Sequence, residues 1–187
     1  MADVKITALP AATTLALTDI IPVVKSPGGA AATNKATLTV LSDSMVVLAR
    51  YSTNAAQSIP NNSEAVVNFG NVVYDTNSAV TTGAAWHFTA PVTGYYMVNA
   101  CITFNTTATW ADGETSLMTT RANGSQVSRL AFTQQGNAAS IYKQLVGSDI
   151  LQLTAGQTLD VTAFQLSGGA LVLYNAYDYN YICIHKL

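Results

Sequence analysis

The chain has 187 residues, enough for one well-buried domain and a small appendage. Hydrophobic residues make up 49% and charged residues 10%, yet no apolar run approaches the ~20 residues of a spanning helix, so membrane insertion is not expected. A net charge of −2 without a Lys/Arg cluster argues against nucleic acid as a partner, and two cysteines, Cys101 and Cys183, make no disulfide framework.

The first segment, residues 1–45, differs in composition from the rest. Met1-Ala2-Asp3-Val4-Lys5 lacks the basic and apolar regions of a signal peptide. Pro10, Pro22 and the Ser26-Pro27-Gly28-Gly29 turn forbid a long helix, so short extended pieces joined by turns are expected. They bury too little to stand alone and should dock on a partner or on their own copies. Leu41 to Leu48 reads equally as a helical turn or as the lead-in to a strand.

From Ala49 onward the chain reads as short strands. Val66-Val67-Asn68-Phe69, Val72-Val73-Tyr74, Trp86-His87-Phe88 and Tyr95 to Phe104 are rich in aromatic and β-branched residues. Leu130-Ala131-Phe132, Tyr142 to Leu153, Thr158 to Gln165 and Tyr177 to Ile184 continue the series. Turn chemistry separates them at Pro60-Asn61-Asn62, Thr82-Gly83, Pro91 to Gly94, Ala155-Gly156 and Gly168-Gly169. Asn123-Gly124 is the strongest hairpin signal. Strands without intervening helices predict an antiparallel sandwich or jelly roll over 46–187.

Alternation sharpens the prediction. After Gly94, the residues Tyr96, Val98, Ala100, Ile102 and Phe104 share one apolar face, while Tyr95, Met97, Asn99, Cys101 and Thr103 share the other. On the last strand Ile182 and Ile184 alternate with Tyr177, Tyr179, Tyr181, Cys183 and His185. Each aromatic side chain buried is worth ~1.5–3 kcal/mol, so a tyrosine face opposite the core predicts a subunit interface.

Two resemblances rest on these residues. Ile6-Thr7-Ala8-Leu9-Pro10-Ala11-Ala12-Thr13, with Asp19 to Val24 and Lys35-Ala36-Thr37, resembles the N-terminal module of many bacteriophage virion proteins. That likeness implies attachment of segment 1–45 to other virion proteins. The block Trp86-His87-Phe88-Thr89-Ala90-Pro91-Val92-Thr93-Gly94-Tyr95-Tyr96 resembles the C1q/tumour-necrosis-factor (TNF) head, as do Arg121 to Gly124 and Leu151 to Gln157. Where that family commonly has an acidic residue after the Gly turn, this chain has Gln157. The likeness implies a homotrimer whose interface carries Tyr95, Met97, Cys101, Tyr177, Tyr179, Tyr181, Cys183 and His185.

Catalytic chemistry is not expected. His87 and His185 are the only histidines, and no Gly-x-Ser-x-Gly occurs. Asp112 with Glu114, or Asp75 with Asp178, are the carboxylate pairs considered and read as turn residues. The acidic turn Asp112-Gly113-Glu114 lacks EF-hand spacing, so neither a metal nor a cofactor is expected. Sequons at Asn61, Asn105 and Asn123 read as chance. Trp110, Asp112 and Glu114 form the candidate ligand loop, of a kind that stacks sugars, with a host-surface glycan as ligand. The expectation is a trimeric virion protein: a fibre, spike or receptor-binding head, or else a head fibre or capsid decoration protein. The alternative is a bacterial C1q-like carbohydrate-binding protein.

Overall fold

Asn123 and Gly124 have φ values of 49° and 76°, the paired left-handed positions that a two-residue hairpin turn demands. The computed structural model to which they belong divides into two units, Met1–Met45 and Val46–Leu187. The structure describes the backbone of 20–25 and 32–37 in the first. In the second it describes 46–187 except 54, 106–108, 111–112, 135–137, 140–141 and 177, with backbone alone for 109–110 and 138–139.

The first unit contains an antiparallel pair, β1 (Ile20–Lys25) and β2 (Ala32–Thr37), with Ile20 opposite Thr37 and Lys25 opposite Ala32. In the second, the strands run β3 (Leu48–Ser52), β4 (Ser58–Ile59), β5 (Ala65–Val66), β6 (Asn71–Asp75), β7 (Val80–Thr81), β8 (His87–Thr89) and β9 (Gly94–Asn105). They continue as β10 (Thr109–Trp110), β11 (Thr115–Ala122), β12 (Ser125–Gln134), β13 (Ala138–Ala139), β14 (Tyr142–Leu153), β15 (Thr158–Gln165), β16 (Leu171–Leu173) and β17 (Tyr181–Lys186). No helix occurs among the described residues.

Two antiparallel sheets pack face to face. One has the order β12-β11-β15-β8-β7, with β5 also on β15. In the other, β9 is flanked along its whole length by β14, and on its opposite side by β17 and β16. From β17 this sheet continues through β3 to the edge strand β6. β10 and β13 form a separate small ladder.

The core is the one the alternation predicts. Tyr96, Val98, Ala100, Ile102 and Phe104 are all buried, in one core cluster with Leu145 and Leu153 of the neighbouring β14 and with Met118 and Leu159 of the other sheet. Phe69 and Trp86 meet edge to face at 5.3 Å, and the Trp86 indole N–H donates to the Phe69 carbonyl at 3.0 Å. The Tyr96 hydroxyl donates to the Val92 carbonyl at 2.5 Å, which closes the Pro91 to Gly94 turn. Arg121 and Asp160 form a two-bond ion pair at 2.7 and 3.0 Å on the outer side of the smaller sheet.

Two strand expectations are corrected. Of the Val66 to Phe69 run only Val66 is strand, as the end of β5; Val67 and Phe69 are buried from irregular backbone. The last strand begins at Tyr181, not Tyr177, because residues 178–180 turn. The cause is Asn180, whose side-chain oxygen accepts the Thr103 N–H at 2.6 Å while its amide donates to the Tyr174 carbonyl. That bridge holds the approach to β17 across the end of β9 instead of alongside it.

Candidate functional site

Register across β14, β9, β17, β3 and β6 defines the outer face of the larger sheet. One row reads Val146, Cys101, Tyr181, Ser52. The next reads Ser148, Asn99, Cys183, Arg50, Tyr74, and the third Ile150, Met97, His185, Leu48. Tyr95 lies opposite Gln152 in the row beyond. Six of the residues expected at an interface therefore share one face: Tyr95, Met97, Cys101, Tyr181, Cys183 and His185.

This face exposes apolar side chains at both margins. Tyr95, Val146 and Ile150 are 56%, 58% and 54% exposed on the β9–β14 side. Leu48 and Tyr74 are exposed on the β3–β6 side. Along these rows no carboxylate occurs; Arg50 and His185 are the only basic groups. Arg50 lies flat in the middle, its guanidinium 4.8 Å from the Tyr181 ring centroid and donating to the Cys183 sulfur at 3.0 Å.

Cys101 differs from the expectation, because it is buried within its own chain and offers nothing to a partner. Its thiol donates to the Tyr179 carbonyl at 3.2 Å, and the Thr103 hydroxyl donates to the same oxygen at 3.1 Å. Burial pushes the Cys101 thiol up, against the lowering pull of hydrogen bonds with Thr103 and Gln144. Tyr179 stands on the turn that covers these residues. Its ring joins Tyr174 and Tyr142 in a cluster, with centroids 4.9 Å apart for Tyr142–Tyr174 and for Tyr174–Tyr179. Tyr177 lies outside the described residues.

The candidate ligand loop is only partly described. Trp110 sits on β10, opposite Ala138 of β13, and Asp112 lies outside the described residues. Glu114 is half-buried before β11 and places its charge near Lys143, whose ammonium is pushed down mainly by burial. Asp75 is committed to structure: it accepts the Tyr51 hydroxyl at 2.9 Å and the N–H groups of Asn77, Ala79 and Val80. His87 pairs its Nδ1 with the Ala85 carbonyl at 2.8 Å. Sequence reasoning missed Arg50, Val146, Ile150 and Tyr74. Alternation along Tyr142 to Leu153, applied as it was to the strand after Gly94, would have exposed Val146 and Ile150.

No family model matches this sequence, and no curated protein does. Solved structures do. Murine APRIL at pH 8.0 superposes with a TM-score of 0.55 at 11% identity, covering 76% of this chain and 99% of that one. The Eiger TNF of S. frugiperda gives 0.53 at 15% identity, covering 76% and 92%. The globular domain of zebrafish complement 1qA gives 0.49 at 15% identity, covering 74% and 94%. At such identities the likeness is one of fold: this chain carries an all-β antiparallel jelly roll of the TNF type.

Proposed function

We propose that the chain is a homotrimeric structural protein of a bacteriophage particle. Residues 1–45 attach it to other virion proteins, and the jelly-roll head is displayed outward for attachment to the host surface. The observation that supports self-association is the outer face of the larger sheet. It carries two unlike apolar margins, Tyr95-Val146-Ile150 and Leu48-Tyr74, with almost no charge between them. Burying each such side chain is worth about 1.5–3 kcal/mol. Unlike patches that fit each other make a head-to-tail contact, and such contacts close into rings. The virion setting rests on the resemblance of residues 6–37. Three copies then give avidity from individually weak contacts.

Light scattering at micromolar concentration should give the mass of three chains. Ile150→Asp and Tyr74→Asp should each yield monomers, and mixing the two should yield a dimer through the one intact contact. A monomeric wild type overturns the assembly. Particles that incorporate the head equally well without residues 1–45 overturn the attachment role.

A further inference from the structure

The outer side of the other sheet carries an arrangement that regular strand geometry would not produce. Residues 129 and 132 are three apart, so on an even strand they point to opposite faces. Here the register of β12 against β11 shifts at Leu130 and again at Val127. Phe132 pairs with Leu117, Arg129 with Thr119 and Gln126 with Arg121, so all three line up on one face. Their partners are two residues apart on β11, which spaces the three positions by about 7 Å.

Chemically the strip has three parts. Phe132, 51% exposed, continues into a row with Leu117 and Phe164 across three strands. The Arg129 guanidinium lies 5.6 Å from the Phe132 centroid. No carboxylate among the described residues pairs with Arg129, whereas the neighbouring Arg121 is neutralised by Asp160. Gln126 adds an exposed amide. The strip's one uncompensated charge is therefore a cation set against an aromatic face.

We propose that Phe132, Arg129 and Gln126 bind an acidic saccharide, a chain of uronic or sialic acid residues. An acidic sugar presents a carboxylate and an apolar C–H face within one residue, matching the guanidinium and the phenyl ring beside it. Gln126 takes hydroxyl groups further along. The strip runs along one strand, which suits an extended chain, and lies on the opposite sheet from the self-association face, so three strips stay open in the trimer. This inference rests on the attachment reading and names its ligand class.

The test is calorimetry or surface-immobilised binding with the full-length protein. The probes are oligomers of alternating glucuronic acid and N-acetylglucosamine, α2,8-linked sialic acid oligomers and, as control, neutral dextran. Binding to an acidic oligomer, weakened at least about tenfold by Arg129→Gln and by Phe132→Ala at unchanged mass and circular dichroism, is expected. Arg129→Lys should recover part of it, because a point charge replaces the planar fork. Absence of binding to both acidic oligomers overturns the proposal, as does binding indifferent to both substitutions. Preference for a Glu-rich peptide overturns the saccharide assignment. A trimer that binds neither oligomer but still decorates bacterial cells overturns this inference and leaves the attachment reading standing.

Discussion

Gly147 on β14 and Leu130 on β12 approach so closely that a Cβ on Gly147 would overlap the Leu130 carbonyl oxygen. The shift in β12 that aligns Arg129 with Phe132 also turns Leu130 toward β14, at the side where the two sheets come together. Glycine is needed there for space, and its φ is not left-handed.

Gly147→Ala should therefore destabilise the head by about 1–3 kcal/mol, the usual cost of overpacking against unyielding backbone. Gly169→Ala is the control. Nothing lies within 4 Å of its added Cβ, and its φ is ordinary, so it should be neutral or stabilising by about 0.4–1 kcal/mol. Urea unfolding of the two variants checks the pair. Equal midpoints would show that the sheets part easily at β12.

Asp75 supports a different prediction. Its carboxylate holds the Tyr51 hydroxyl and three backbone N–H groups of the turn after β6. Asp75→Ala leaves those donors without their acceptor and should cost about 2–3 kcal/mol. Burial pushes the Tyr51 phenol well above its ordinary value, helped by the hydrogen bond to Asp75 and by its charge. A phenol raised in the folded state stabilises fully below its unfolded value of about 10. That stability is lost as pH rises toward the folded value. Wild type should thus lose stability above about pH 10 more steeply than Tyr51→Phe, read by urea midpoints at pH 8, 10 and 11.

Local chemistry made much of this fold legible. The alternation after Gly94 gave the buried face of β9 residue by residue, and Asn123-Gly124 gave the hairpin, because both signals act within a few residues. The errors came from distant partners. Tyr179 reads as strand by its neighbours, yet Asn180 is tied to Thr103, 77 residues away. Arg50 looks like a surface cation, but its sulfur partner Cys183 is 133 residues on. Cys101 was expected at the interface because it shares a face with Met97; the turn that carries Tyr179 covers it, and no local pattern announces that turn.

The two thiols bear on both the turn and the assembly. Cys101 is buried with its thiol pushed up, while Cys183 is half-buried beside the Arg50 guanidinium. The thiolate is the nucleophile, so alkylation tracks both exposure and ionisation. In the monomeric Ile150→Asp variant, iodoacetamide at pH 8 should modify Cys183 at least about tenfold faster than Cys101, followed by peptide mass. Under the proposed assembly wild type should protect Cys183 too, because the row Ser148-Asn99-Cys183-Arg50-Tyr74 lies between the two apolar margins that would meet a neighbour. Equal rates for the two cysteines in the monomer would mean that the Tyr179 turn opens readily. Equal Cys183 rates in the monomer and the wild type would mean that this face stays in water, and the assembly would need another surface.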